Sequence, residues 1–267
     1  MKTIIEQFRI KTVEPIYLTA REQRLDIHYK AYFNPFLVRA EDLIIDLLTD
    51  SGTSAMSSAL WAAIMIGDES YAGSSSFFRF EKTIREITGI PIVIPTHQGR
   101  AAEKIIFSVM GGSGKYILSN TLFDTTRANI EISGAEGIDL LCPEGKIPGK
   151  PAPFKGNMDV EALEGCITEK GAGNIPMVII TVTNNSGSGQ PVSMENIRSV
   201  KAVCKKYSIP LFTDACRFAE NCYFIQQREK EFSGIPIPVI ARELFSYADG
   251  CTMAGEGIYT KPYRLRG

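Results

Sequence analysis

Short, nearly uninterrupted apolar runs alternate with amphipathic stretches, and this alternation restricts the possible folds more than any other feature. The runs are "IPIVIPT" (90–96), "KYILSN" (115–120), "GIDLLC" (137–142), "MVIITVT" (177–183), "IPLFTD" (209–214) and "DGCTMA" (249–254). Strands that are apolar on both faces need cover on both faces, which is the condition of a parallel sheet. The intervening stretches carry helix starts. In "DVEALEGCITEKG", Asp159 is placed to cap, and Val160, Leu163 and Ile167 form one apolar stripe. In "SMENIRSVKAVCKKY", Ser193 caps, Ile197, Val200 and Cys204 face inward, and Lys205 and Lys206 suit the negative end of the helix. Strand–helix–strand repetition predicts an α/β fold with a mainly parallel sheet and right-handed crossovers. "CPEGKIPGKPAPFKGN" (142–157) reads as a long surface loop, and residues 1–48 as an N-terminal arm with short helices outside the sheet.

A chain of 267 residues can bury a large core. Its 29 basic and 30 acidic residues leave a net charge of -1, with no basic surplus for nucleic acid or an anionic membrane. No apolar run approaches a membrane span, and charges interrupt the start too often for a secretory signal. Six cysteines without a CxxC pair read as reduced thiols of a cytoplasmic protein. With only His28 and His97, the chain gives no basis for a histidine metal site.

In such sheets ligands bind beyond the carboxyl ends of the strands. There the chain places Gly99 at a helix start fit to hold a phosphate, the ring of Phe123, the amide of Asn185, the acid Asp214 and the base Arg217. Each has a plainer alternative: Gly99 as a strand end, Asn185 as its own turn former, Asp214 as the cap of a helix near Cys216. "GGSGKY" (111–116) is no nucleotide loop, because Val109 replaces the leading glycine and Tyr116 the required Ser or Thr. No G-x-G-x-x-G follows an early strand, which argues against a dinucleotide. A phosphate cradle, a stacking ring and an acid for a pyridine nitrogen together describe the needs of pyridoxal phosphate.

The chain also resembles the aromatic amino-acid β-eliminating lyases, tryptophanase and tyrosine phenol-lyase, among the fold-type I pyridoxal-phosphate enzymes. The likeness runs from about Phe8 to Met253 and is carried by "DLLTDSGTSAM", "GDESYAGS", "IPTHQGRAAE", "FDTTRA", "FKGNMD", "NNSGSGQPVSMEN", "DACRFAENCYFI" and "FSYADGCTM". It implies Gln98, Gly99 and Arg100 at the cofactor phosphate, Phe123 on its ring, and Asp214 at its nitrogen. Asn185 and Arg217 would face the phenolic oxygen of the cofactor or the substrate. It further implies Thr49 and Ser51 in a substrate loop, and Tyr71 as a proton donor reaching in from a neighbouring subunit of a homo-oligomer. Gly52 and Glu69 match ligands of a potassium ion at a subunit interface. Asp124 follows the stacking Phe as in tryptophanases, where the phenol-lyases carry Thr, which favours tryptophan over tyrosine as substrate.

After "CTM" the family pattern continues with Ser-(Gly or Ala)-Lys-Lys-Asp, the second lysine being the one that links to the cofactor. Here Ala254 stands at the Ser, Glu256 and Gly257 stand at the lysines, and Lys261 comes four residues late. The reading is therefore a cofactor-binding large domain over 49–254, incomplete at its C-terminal end, with an aberrant tail at 255–267. Its lyase activity is expected to be impaired. The alternative is a non-catalytic module that binds the cofactor weakly or associates with full-length subunits.

Overall fold

The computed structural model describes residues 17–44 and 58–254, which fall in two compact units, Met1–Thr53 and Ser54–Gly267. In the first, helix α1 (Arg21–Lys30) is followed by single 3-10 turns at Pro35–Leu37 and Ala40–Asp42. The second unit opens with α2 (Ser58–Met65), α3 (Ser75–Thr88) and α4 (Gly99–Met110). It continues with β1 (Tyr116–Ser119), α5 (Asp124–Ile132), β2 (Glu136–Asp139), α6 (Val160–Lys170) and β3 (Met177–Thr181). Then come α7 (Met194–Lys206), β4 (Leu211–Asp214), α8 (Phe218–Arg228), α9 (Ile237–Ser246) and β5 (Gly250–Thr252). The strands form one sheet in the order β2-β1-β3-β4-β5, and every pairing is parallel.

Alternation along each strand explains the apolar runs. In β3, Val178 and Ile180 enter the core shared with α6, α7, α8 and α9, while Met177 and Ile179 enter the core shared with α4 and α5. Both faces are dry, so neither set of positions tolerates a polar residue. Leu163 and Ile167 of α6 are buried as their stripe requires, each contributing about 1.5–3 kcal/mol of apolar burial. Asp159 caps α6 by accepting from the Ala162 N–H at 3.0 Å, and Ser193 caps α7 by accepting from the Asn196 N–H at 3.0 Å. Ser193→Ala should cost about 1 kcal/mol, measured as a lower urea midpoint at unchanged m-value; no change would mean that water replaces the cap.

Two expectations need correction. "IPIVIPT" (90–96) joins no strand pairing among the described residues. Pro91 and Pro95 have no N–H to donate, and while Ile90 packs against the core, Ile92 and Ile94 are 72% and 75% exposed. The 142–157 segment is not simply a surface loop. Lys155 is buried within it and donates to the carbonyls of Ile147 at 2.7 Å and Pro148 at 3.0 Å, which folds the loop onto itself.

Candidate active site

The chain leaves β1 through α5 to β2 on one side, then returns through α6 to β3 on the other side of β1. The loops that follow β1 and β3 diverge at that point, and the divergence opens a crevice at the carboxyl edge. Asn120, just after β1 and only 1% exposed, ties the crevice floor together. Its Nδ2 donates to the carbonyls of Gly156 at 2.7 Å and Thr181 at 2.9 Å, and its Oδ1 accepts the Thr181 N–H at 2.9 Å. Asn184 adds a second tie by donating to the Thr121 carbonyl at 2.7 Å. Phe123 stands next, half-buried, as the residue that precedes α5. Its loop is held by Asp139, which accepts the Leu122 N–H at 2.8 Å and pairs with Arg127 at 2.6 Å.

Asp214 ends β4, in register with Thr181 of β3 and Thr252 of β5. Registered neighbours in a sheet share a face, so these three side chains form a row toward α4 and α5. Burial, then the negative charge of Glu103, push the Asp214 carboxyl up to about 7, against the weaker opposing pulls of the Cys216 N–H and Arg217. Beside it the Thr181 hydroxyl is buried, with no hydrogen-bond partner among the described residues. Asp214 does not cap the following helix; α8 begins at Phe218, with Arg217 as its cap residue.

The start of α4 lies close by. Gln98, its cap residue, makes no side-chain capping bond, and no acid occupies the first turn, so the helix end is left open to an anion. A Cβ placed on Gly99 would come within 3.3 Å of the Ala254 methyl, two residues beyond β5. One turn further along α4, Glu103 is 8% exposed and accepts from Thr125 at 3.2 Å, from Asn129 at 3.2 Å and from Thr126 in a short bond. Glu103 and Asp214 line one small cavity together with Phe107, Thr126, Ile179 and Thr252.

The structure thus brings Gly99 and Asp214 to one edge, and Arg217 with them, since its carbonyl accepts from the Thr183 hydroxyl at 2.8 Å. Gln98 and Arg100 flank Gly99 and are exposed; Asn185 and Asp124 are exposed on the loops after β3 and β1. Glu69 and Tyr71 lie exposed between α2 and α3. Thr49, Ser51 and Gly52, and likewise Glu256, Gly257 and Lys261, fall outside the described residues. Among the described residues no cluster of three or more His, Cys, Asp or Glu side chains could hold a metal. Sequence reasoning passed over Glu103, although Gly99, Glu103 and Phe107 share one helical stripe, and Glu103 and Phe107 are the buried residues of α4.

On one edge of a parallel α/β sheet these features set an uncapped helix start beside a carboxyl at the neighbouring strand end. Residues 46–257 match the family model described as beta-eliminating lyase, and the chain belongs to that family. It is 55% identical over 256 residues to a tryptophanase from Salinibacter ruber, covering 96% of this chain and 54% of that protein. It is 49% identical over 251 residues to a tyrosine phenol-lyase from Pasteurella multocida, covering 94% of this chain and 55% of that one. The chain therefore spans about half the length of the curated relatives it matches. A chain in the crystal structure of the SepCysS-SepCysE N-terminal domain complex superposes with a TM-score of 0.51 at 15% identity. That match covers 74% of this chain and 47% of the other, and it bears on the fold alone.

Proposed function

We propose that this chain is the pyridoxal-phosphate-binding part of a lyase that removes the side chain of an aromatic amino acid by β-elimination, with tryptophan as substrate. The observation that carries the proposal is a carboxyl at a strand end, Asp214, on the same edge as an uncapped helix start at Gly99. The donor set fits the cofactor: the Gly99 end of α4 for the phosphate, the Phe123 ring for stacking, and Asp214 with the orphaned Thr181 hydroxyl beside it for the ring nitrogen. When bound, the cofactor supplies an electron sink for the electrons released at the amino-acid α-carbon. Asp214 holds the proton on the ring nitrogen that makes this sink effective, and Asn185 and Arg217 orient the phenolic oxygen of the cofactor or the substrate. Tyr71 delivers a proton to the departing aromatic carbon of a neighbouring chain's substrate, a role that its complete exposure on its own chain supports. Thr49, Ser51 and Asp124 contact the substrate. Tryptophan is preferred because Asp124 follows Phe123 and because the tryptophanase relative is 55% identical against 49% for the phenol-lyase.

A homo-oligomer is supported by the exposed Trp61, Ile64, Met65 and Ile66 along α2 and its end. Glu69 and Gly52 would each offer an oxygen ligand to a potassium ion between subunits. Six free thiols support a cytoplasmic setting, and no helix among the described residues is long and apolar enough to cross a membrane.

Because Ala254 brings a methyl to Gly99 where the family carries a Ser, and Glu256 and Gly257 replace the lysines, the chain as written should bind the cofactor without a covalent link. Purified protein mixed with pyridoxal phosphate should show quenched protein fluorescence. Borohydride should fix cofactor only at scattered exposed lysines, at no single site in stoichiometric amount, and neither tryptophan nor tyrosine should yield pyruvate. A stoichiometric adduct at one lysine would overturn the expected impairment, and failure to bind at all would remove the cofactor reading.

A further inference from the structure

Glu103 is an acid in an apolar place. It sits on the inward stripe of α4 among Phe107, Met177, Ile179 and Phe212, a position that disfavours a carboxylate unless something requires it. Among the described residues its hydrogen bonds come from α5, through Thr125, Thr126 and Asn129, and in each of them the Glu103 oxygens act as acceptors. The side chain is fixed on the cavity that it shares with Asp214. Glu103 from α4 lines the cavity with Asp214 and adds negative charge there, which Arg217, in the turn after β4, opposes. Cys251 of β5 is in register with Thr213 and so lies on the other face of the sheet. Two acidic side chains and one basic one thus act on this end of the cavity. A ligand that brings positive charge to Asp214 relieves that imbalance, whereas a neutral ligand of the same shape does not.

We propose that Glu103 is a positioning residue that acts through Asp214: its fixed charge makes the pocket select a ring carrying a protonated nitrogen over a neutral ring of the same shape. This rests on the cofactor reading above, which gives Glu103 no contact with the cofactor. A purely structural Glu103, tying α4 to α5, would treat both rings alike.

The test compares pyridoxal phosphate with the analogue in which C–H replaces the ring nitrogen, using equilibrium dialysis at pH 7 on the whole chain. The wild type should prefer the nitrogen ring by about tenfold or more, and Glu103→Gln should bring that preference down to about twofold. Glu103→Asp should retain most of the preference. Thr126→Val, which loosens the tie to α5 but keeps the charge, should leave the ratio unchanged. In ligand-free protein, the Asp214 carboxyl followed by carbon NMR, assigned with Asp214→Asn, should titrate about one pH unit lower in Glu103→Gln. Equal binding of both rings by the wild type, parallel losses for both in Glu103→Gln, or a collapsed ratio in Thr126→Val would each overturn the proposal. If the wild type bound neither ring, the cofactor reading would fall, and the ligand-free titration would still decide Glu103: an unmoved Asp214 would sink it. The wild-type ratio keeps the proposal open to refutation even if Glu103→Gln does not fold.

Discussion

Replacing Asn120 by alanine is expected to destabilise the sheet unit by about 3–5 kcal/mol, the largest effect foreseen for a single polar side chain near the site. Asn120 satisfies the Thr181 N–H and the carbonyls of Thr181 and Gly156 in a place closed to water. Truncation would leave all three groups buried and unpaired, and the penalty of each falls on the folded state alone. Asn120→Asp should be worse still at neutral pH. It keeps the acceptor for Thr181 but turns a second oxygen toward the carbonyls that now receive the amide. Urea titration of both variants checks the ranking. Near-wild-type stability of the alanine variant would mean that water reaches the crevice floor.

Asp214→Asn should act in the opposite direction. The folded chain raises Asp214 from its ordinary 3.8 to about 7. Between those values the folded state keeps a proton that the unfolded state has released, so stability falls as pH rises through that window and stays at the lower level above it. Asparagine removes the titration. The variant should match the wild type near pH 4 and exceed it by roughly 2–4 kcal/mol at pH 8, at the expense of holding a ring proton. Other carboxyls also titrate in this range, so the informative quantity is the difference between the two pH profiles. A constant difference, or a less stable variant at pH 8, would contradict the environment described for Asp214.

The sheet could be read in advance because its strands announce themselves locally. The runs at 115–120, 177–183 and 209–214 are apolar at both parities, as a doubly covered strand requires, and β1, β3 and β4 fall within them; β2 begins one residue ahead of its run, at Glu136, and as an edge strand leaves Glu136 and Asp139 exposed. "IPIVIPT" carries the same signal without the outcome, since pairing is settled by what packs alongside, and Ile92 and Ile94 meet no covering layer. Asp214 and Gly99 were visible because one ends a strand and the other begins a helix, positions with a known bearing on ligands. Glu103 was not, because in "GRAAEKIIF" an acid reads as solvent-facing until its spacing from Phe107 is counted. Asn120 and Lys155 were hidden for a related reason: their partners lie on segments distant in sequence or within a loop whose fold no short pattern encodes.

The contact between Gly99 and Ala254 has a consequence for biosynthesis. A ribosome delivers α4 long before it delivers the residue after β5, so the open helix end spends most of translation without its neighbour. Pulse-labelled nascent chains halted ahead of β5 should therefore lack the ligand pocket, however well β1 to β4 have already assembled.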